Sequence, residues 1–436
     1  MYCKSGSIKK ITMTKYLRAE VLDIALKTIQ NILPDKLIPK ELSQVNFKKY
    51  KNIFVVGAGK GASKMAEATE KLLKQKITEG HINIPEGEKT PTLKRINFTH
   101  GSHPLPNSNG LKGAEKILKI AKKADKGDLV IALISGGGSA LMPLPVKEIT
   151  LGEKIKTTSE LLKCGANIHE INTIRKHLSQ IKGGFLAKAA YPADVLVLVI
   201  SDVLGDDLSV IASGPFAPDN STFKDAAAIL KKYRILNNVP ISVKKYLSES
   251  KIETPKKGDI CFKKVKHVIL ANHETAAKQA YKMAKSKGLN PKILDTHFEG
   301  ECRKKAVELI KSIKGKKNFF ILSGETTVKI KGTGKGGRNQ EFVLAAINEI
   351  SKNPLKYNNF VVLSIGTDGV DGICPVKTAG AIATKETLIQ AKKLKLTIQN
   401  FLDNNDSYHF FQKTGGLIIT GPTGTNLGDL ILLFAF

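Results

Sequence analysis

Residues 53–68, IFVVGAGKGASKMAEA, predict a strand, a glycine-rich turn and a helix in direct succession. The apolar run at residues 53–56 is typical of a buried strand, and helical spacing begins near Ser63. Gly57 and Gly59 stand in the turn between this strand and this helix, where backbone N–H groups can approach an anion. The same glycines would also suit a tight structural connection, so both interpretations stay open. Lys60, inside the turn, is placed to reach a phosphate or a carboxylate.

A second unit of the same kind occupies residues 129–141. Its apolar strand runs straight into three consecutive glycines between two serines, which are Ser135, Gly136, Gly137, Gly138 and Ser139. Three glycines in a row lose much conformational freedom on folding, so a purely structural turn is the less attractive explanation. We predict that this turn binds phosphate.

Further apolar runs alternate with helical patterns, which indicates parallel strands joined by helices. Residues 195–200 form another predicted strand, and residues 151–164 and 169–182 form predicted helices, the second ended by Gly183 and Gly184. The first half is therefore expected to be α/β, a doubly wound, Rossmann-like α/β/α sandwich.

The chain is 436 residues long, which exceeds one ordinary hydrophobic core and predicts two domains. Residues 248–258, SESKIETPKKG, are polar, charged and proline-bearing, as in a surface linker. The predicted domains are residues 14–250 and a smaller α/β domain at 258–436, which begins with a strand at 267–271. A cleft between them is the expected location of the site.

The segment SDVLGDD places three carboxylates, Asp202, Asp206 and Asp207, at and just beyond the end of the strand at 195–200. Clustered carboxylates suit Mg²⁺, which retains most of its waters and bridges phosphates. The alternative is helix or turn capping, and we expect it for either Asp206 or Asp207. The Ser213–Gly214 pair soon afterwards forms another candidate turn for ligand binding.

In the second half, GTGKGGRNQE combines four glycines with Arg338, one of only six arginines, and a helix that starts at Asn339. A glycine-hinged arginine can clamp the charge of a transferred phosphoryl group, and a plain surface hairpin is the alternative. Glu325 and Asp368 add carboxylates at the ends of two further strands. We predict that Glu325 and Asn339 bind the cofactor and that Asp368 contacts the metal.

Composition excludes several classes of protein. Lys and Arg total 69 against 39 Asp and Glu, a net charge of +30, but the lysines are dispersed and lack aromatic neighbours. We therefore expect a solvated surface and no nucleic-acid partner. The five scattered cysteines suit a reducing cytoplasm. Without a long apolar stretch or a secretory signal, a membrane location is not expected.

Taken in order, these segments resemble the class II glycerate kinases, which combine a MOFRL-associated domain with a C-terminal MOFRL domain. The resemblance extends from about residue 16 to the end of the chain. It rests on the motifs VVGAGKGASKMAEA, HPLPNSNGLKGAEKIL, LISGGGSALMPLP, INTIRKHLSQIKGG, ISDVLGDDLSVIASGPFAPD, LSGETTVKIKGTGKGGRNQEFVLAAI, GTDGVDG, NDSYHFF and TGPTGTNLGDL.

The resemblance implies ATP-dependent phosphorylation of D-glycerate to 2-phosphoglycerate, with a divalent metal such as Mg²⁺. The family's lysine and arginine fall on Lys60 and Arg338, and Lys182 and Asp202 are carried over as further catalytic residues. Asp202 is also our candidate general base. A monomer or a homodimer is expected.

Two other functions remain as alternatives, an NAD(P)H-dependent hydroxypyruvate reductase and a non-catalytic polyanion-binding protein. The sequence argues against the reductase, because Ala62 replaces the third glycine of GxGxxG and no acidic residue closes the next strand.

Overall fold

The computed structural model describes residues 5–250, 252–313, 318–353, 357 and 359–435, with side chains from residue 15 onward. It divides into two compact units. One spans Pro34–Leu270 and is called the Rossmann unit below. The other, the mixed-sheet unit, combines the chain from Ala271 onward with the segment that ends at Leu33.

The first helix, α1 (Ser5–Asn31), belongs to the mixed-sheet unit, and the Rossmann unit follows it. The strands of the Rossmann unit are β1 (Ile53–Ala58), β2 (Glu79–Pro85), β3 (Ile96–Gly101), β4 (Leu129–Ile134), β5 (Asp194–Ile200) and β6 (Val265–Ala271). Its helices are α2 (Pro34–Leu42), α3 (Ala62–Leu73), α4 (Ser108–Ala121), α5 (Gly138–Leu141), α6 (Leu151–Lys163), α7 (Ile168–His177), α8 (Phe185–Ala190), α9 (Phe223–Lys232) and α10 (Ile241–Glu249).

The strand order of this sheet is β3-β2-β1-β4-β5-β6, which is the order of a doubly wound dinucleotide-binding fold. β1 through β5 are parallel. Every residue of β1 and β4 is buried, so both faces of the sheet are covered. The predicted doubly wound α/β architecture is confirmed. The order of connections reverses between β1 and β4, where such folds bind ligands.

The helix predicted at residues 169–182 is too long. α7 ends at His177, because the Ser179 hydroxyl donates to the carbonyl of Leu144 at 3.0 Å and accepts from the amide of Lys182 at 3.3 Å. These contacts with the segment after α5 replace the next helical turn. Gly183 and Gly184 therefore do not cap α7 and instead precede α8.

The mixed-sheet unit contains β7 (Pro291–Glu301), β8 (Asn318–Thr327), β9 (Phe360–Gly366), β10 (Gly380–Thr384), β11 (Leu417–Ile418) and β12 (Asp429–Ala435). Its remaining helices are α11 (His273–Ser286), α12 (Cys302–Ser312), α13 (Arg338–Ser351), α14 (Lys385–Lys393), α15 (Ile398–Asp403) and α16 (Ser407–Thr414). The strand order is β11-β10-β9-β12-β8-β7. β7 and β8 pair in parallel, whereas β12 pairs antiparallel with β8 and β9, and β10 pairs antiparallel with β9 and β11.

One face of this second sheet packs on α1 and α11. Buried apolar residues of α1, among them Val21, Ile24 and Ala25, lie in one core with Val361 and Leu432 of the sheet. The opposite face packs on α12 and α13. α1 thus completes the core of the mixed-sheet unit, although the Rossmann unit separates it in sequence from the rest of that unit.

The stretch proposed as a linker does not coincide with the division between the units. After it, β6 joins the sheet of the Rossmann unit, so the division falls at Leu270. The stretch is also bound to the rest of the Rossmann unit, because Thr254 donates to Asp219 at 3.1 Å and Glu253 pairs with His177 at 3.1 Å. No helix within the described residues is long and apolar enough to cross a bilayer.

Candidate active site

The two glycine-rich turns lie side by side, because they follow the neighbouring strands β1 and β4. The amide of Lys60 donates to the carbonyl of Gly136 at 2.9 Å, and the amide of Gly61 donates to the Ser135 hydroxyl at 3.0 Å. A side chain on Gly57 would lie 2.1 Å from the carbonyl oxygen of Leu133. The first turn therefore uses its amides to bind the second turn.

Gly59 is the closest point of contact between the turns. Its φ is +144°, and a Cβ atom there would lie 2.1 Å from the Ser135 Oγ. Gly59→Ala is expected to lower the free energy of unfolding by about 2 kcal/mol or more, through backbone strain and the clash together. Urea unfolding followed by circular dichroism measures this change.

Gly152→Ala provides the matched control, because a Cβ at Gly152 meets nothing within 4 Å and the residue lies in α6. That variant should be as stable as the parent or slightly more stable. Equal stability of both variants would contradict the assigned packing of the turns.

The second turn keeps amides available. Gly137 has a φ of +81° and precedes the short helix α5. In the part of the chain that the structure describes, the amides of Gly136 and Gly137 donate no hydrogen bond to another backbone group. A side chain on Gly137 would lie 3.0 Å from the His103 ring and 3.5 Å from the Lys60 Cγ, so these two side chains border the turn. The arrangement suits an anion.

Lys182 lies directly behind the second turn and is only 1% exposed. Its Nζ donates to the carbonyl oxygen of Ser139 at 2.8 Å and to its Oγ at 3.1 Å. The Ser139 and Ser213 hydroxyls are 2.8 Å apart, and Ser213 donates to the Asn172 Oδ1 at 3.0 Å. Gly214 accepts from the amide of Gly184 at 2.7 Å. The structure thus joins Lys182, Ser139 and Ser213, and it buries Ser213 completely.

Two further cations approach Lys182. Burial, reinforced by the charges of Lys154 and Arg175, lowers the pKa of Lys182 well below its usual value. Burial and Arg175 lower the pKa of Lys154 to about 7, and burial lowers the pKa of Arg175. Burial in this corner of the Rossmann unit therefore favours the neutral forms of both lysines.

The carboxylates after β5 are spread along a turn. Asp202 follows the strand, Asp206 lies in the short 3₁₀ segment Leu204–Asp206 with a φ of +54°, and Asp207 comes next. The Asp207 carboxylate accepts from the amide of Ser209 at 2.8 Å, which confirms that one of the two later residues caps the following turn. Among the described residues, no three His, Cys, Asp or Glu side chains are arranged to hold a metal ion.

An acidic pair follows β2, which the sequence analysis did not recognise as a strand. Glu86 accepts from the Asn107 side chain at 2.7 Å, and Glu88 accepts from the Ser63 hydroxyl at the start of α3. Burial raises the pKa of Glu88 to about 7. The statement that no acidic residue follows the next strand was therefore wrong, because the polar residues His81 and Asn83 conceal β2 in the sequence.

Arg338 is the first residue of α13 and is held by two carboxylates of its own unit. Its Nε and Nη2 donate to Asp429 at 2.8 and 3.0 Å, and its Nη1 donates to Glu325 at 2.6 Å. These carboxylates raise the pKa of Arg338 above its usual value, although burial opposes them. Arg338 thus begins a helix with only 30% of its side chain exposed, which does not fit a plain surface hairpin.

The start of α13 is itself held by a buried carboxylate. Asp371 accepts from the amides of Asn339 and Gln340 at 3.0 and 2.9 Å, and burial raises its pKa to about 6. The Asn339 side chain donates to Asp429 at 2.8 Å and is 1% exposed. Asp368 accepts from the amide of Val370 at 3.0 Å in the loop after β9. Glu325, Arg338 and Asn339 thus converge near Asp429.

Sequence reasoning missed four residues of these clusters. Asn172 and Arg175 stand in the quoted motif INTIRKH, and Asp429 in TGPTGTNLGDL, so motif membership was the available signal. Lys154 offered no such signal in the sequence, because a lysine on an amphipathic helix usually faces solvent.

The strand connections reverse between β1 and β4, and the turn after β4 is suited to anion binding. These features define a Rossmann-type α/β protein joined to a mixed-sheet unit. A model described as a domain of unknown function, DUF4147, matches residues 20–248, and the MOFRL family model matches residues 318–429. The chain belongs to the glycerate kinase family in which a DUF4147 domain is followed by a MOFRL domain.

Relatives of this chain carry two kinds of name, glycerate kinase and hydroxypyruvate reductase. The D-glycerate 2-kinase of Thermotoga maritima is 38% identical, over 95% of this chain and 98% of its own. A crystal structure of the glycerate kinase from that organism has a TM-score of 0.87 at 37% identity, covering 97% of this chain and all of that one. An Agrobacterium vitis protein, provisionally named a hydroxypyruvate reductase, is 38% identical over 86% of this chain and 85% of its own.

Proposed function

We propose that this protein is a D-glycerate 2-kinase that transfers the γ-phosphoryl group of ATP to the 2-hydroxyl of D-glycerate. The observation that carries this proposal is the pair of available amides at Gly136 and Gly137, at the point where ligands bind in doubly wound folds. The name of the T. maritima relative supplies the reaction and the position of phosphorylation.

The chemistry is a direct in-line displacement. The 2-hydroxyl oxygen forms a bond to the γ-phosphorus as the bond to the leaving ADP oxygen breaks, and the hydroxyl proton passes to a base. Asp202 is the proposed base. Backbone amides of the Ser135–Ser139 turn hold the phosphates, and Lys60 offsets their charge, because phosphoryl transfer depends on positioning and charge stabilisation.

Magnesium fits the donors after β5 as a partner of ATP. Mg²⁺ is commonly held by one or two carboxylates plus phosphate oxygens and waters, so a dedicated three-ligand cage is not required. Asp202 and Asp206 would supply the carboxylates, and the ion would neutralise charge on the phosphates. Asp207 is committed to Ser209, and Asp368 remains a proposed contributor from the mixed-sheet unit.

Arg338 is proposed to stabilise the charge of the transferred group. Glu325 and Asp429 hold its guanidinium, and Asn339 donates to Asp429. Lys182 is proposed to hold Ser139 and Ser213 in position from behind the second turn. We further propose that the enzyme acts in the cytoplasm as a monomer or homodimer.

The test is an assay with D-glycerate, ATP and Mg²⁺, coupled through enolase. Enolase accepts 2-phosphoglycerate, so a signal without added mutase identifies the 2-phosphate. A signal that requires phosphoglycerate mutase would assign the 3-phosphate and contradict the proposed position of transfer.

The reductase alternative is tested in parallel by NADH or NADPH oxidation with hydroxypyruvate. The geometry disfavours it, because the amides of Lys60 and Gly61, which a dinucleotide pyrophosphate would need, already donate within the protein. Reduction of hydroxypyruvate without phosphorylation of glycerate would overturn the kinase proposal, and retention of DNA at physiological salt without either activity would favour a polyanion-binding protein.

A further inference from the structure

The glycine-rich loop at residues 331–337 ends directly before Arg338, the first residue of α13. Each backbone amide from residue 331 to residue 336 donates a hydrogen bond within the mixed-sheet unit. The acceptors are the side chain and the carbonyl of Asn404, the side chains of Asn405 and Asp406, and the carbonyl of Ile373. Because these amides are occupied, the loop differs from the turn after β4 and is not built to cradle a phosphate.

The turn between α15 and α16 supplies most of these acceptors. The Asn405 Oδ1 accepts from the amides of Lys331 and Gly332 at 2.7 and 3.0 Å. The Asp406 Oδ1 accepts from the amide of Lys335 at 2.9 Å. Side chains of this turn therefore hold the loop at both of its halves.

Asn405 also connects the loop to the helix that carries Arg338. Its Nδ2 donates to the Glu341 Oε1 at 2.8 Å, so its oxygen holds the loop while its nitrogen holds α13. Glu341 lies one helical turn after Arg338 and also accepts from the Arg303 Nε at 2.6 Å. Asn405 and Glu341 are 7% and 2% exposed. The loop and the first turn of α13 are thus fixed to each other through a buried side chain.

Close packing explains a glycine in this loop better than mobility does. A Cβ atom on Gly334 would lie 2.5 Å from the Asp406 Cβ and 2.6 Å from the carbonyl oxygen of Asn404. A side chain at this position would therefore push the loop away from the turn. The hinge that the glycines suggest in the sequence is, in the folded protein, a docked segment.

We propose that Asn405 and Asp406 are positioning residues that act through Arg338. By fixing the loop and the first turn of α13, they hold the guanidinium of Arg338 against its two carboxylate partners, without contacting the reactants themselves. The inference rests on the proposed kinase function, and it gives a role to the motif NDSYHFF, which that function leaves unused.

Asp406→Ala tests this role in steady-state kinetics. We expect kcat to fall about 10-fold, because a less firmly held arginine stabilises the transition state less, and KM for ATP and D-glycerate to change much less. Asp406→Asn keeps the accepting oxygen and should restore most of the activity. Asp403→Ala is the matched control, since it removes the same charge from an exposed position in α15 and should stay within about twofold of the wild type.

A double-mutant cycle with Arg338→Lys separates positioning from a general structural effect. If Asp406 acts through Arg338, adding Asp406→Ala to Arg338→Lys should lower kcat by less than about twofold further. A second full 10-fold loss in the double variant would show that the two residues act independently and would overturn the proposal.

Hydrogen exchange read by mass spectrometry reports on the docked loop without turnover. The amides of residues 331–336 should exchange slowly in the wild type and in Asp403→Ala, and faster in Asp406→Ala. Gly334→Ala leaves the Asp406 carboxylate in place and should produce the same faster exchange and the same fall in kcat. If Asp406→Ala does not fold, Gly334→Ala decides the outcome.

The two proposals fail in different ways. A wild type that does not phosphorylate D-glycerate would sink the kinase function and the positioning role that depends on it. An active wild type whose Asp406→Ala and Gly334→Ala variants keep their kcat values and their slow exchange would overturn the positioning role alone.

Discussion

Arg338→Met is expected to lower the free energy of unfolding by about 3 kcal/mol or more and the melting temperature by on the order of 10 °C. Asp429 is 1% exposed and receives two nitrogens of Arg338, so the substitution leaves a buried carboxylate without its cation. Removing one member of a buried pair costs more than the pair itself contributes. Calorimetry or thermal circular dichroism measures the change.

The double variant Arg338→Met/Asp429→Asn separates this cause from lost packing, because the carboxylate that Arg338 paired is then no longer charged. It should recover part of the stability, and exposed Arg234→Met should change it by less than about 0.5 kcal/mol. Arg338→Lys keeps a charge but loses the planar fork, and its kcat/KM should fall about 100-fold. A stable Arg338→Met protein with near-normal kinetics would contradict both roles of this residue.

Lys60→Met is expected to lower kcat about 1000-fold with a small change in melting temperature. Lys60 borders Gly137, where we place the phosphates, and loss of one preorganised positive donor typically costs two to three orders of magnitude. The fold of the turn should persist, because it is the backbone amide of Lys60 that binds Gly136. Steady-state kinetics with varied ATP and varied D-glycerate measure the loss.

Lys64→Met is the matched control for Lys60→Met. It removes a lysine four residues further on, in α3, whose exposed side chain pairs with Glu67 at 2.8 Å. Its kinetics should remain within about twofold of the wild type, since exposed pairs contribute little. A similar loss in both variants would indicate a general effect of surface charge and would remove Lys60 from the phosphate site.

Local sequence patterns predicted the Rossmann unit well where an apolar strand runs directly into a glycine-rich turn. The apolar strands β1 and β4 end in glycines, and both turns lie where the sequence placed them. β2 escaped recognition because its buried positions include His81 and Asn83, whose side chains bond to Thr99 and to the Gly110 carbonyl only in the folded protein. The end of α7 was misjudged for a similar reason, since Ser179 bonds to a segment more than thirty residues away.

Long-range placement was the part that the sequence concealed. Strand pattern does not reveal that β12, at the end of the chain, pairs between β8 and β9, nor that it brings Asp429 to Arg338. Lys154 and Arg175 resemble ordinary helix-surface residues, and the burial of Lys154 appears only once α6 packs beside α7 and its side chain reaches the Leu178 carbonyl. Contacts between residues that are far apart in the chain leave no local pattern in the sequence.

The position of β12 also determines when the mixed-sheet unit can form during synthesis. The Rossmann unit is complete at Leu270 and can fold while translation continues. The mixed sheet stays open until its last strand, which ends at Ala435, has left the ribosome. The mixed sheet on which the apolar side of α1 packs is encoded after the whole Rossmann unit. A nascent chain of this protein therefore carries α1 without that sheet while the Rossmann unit is being synthesised.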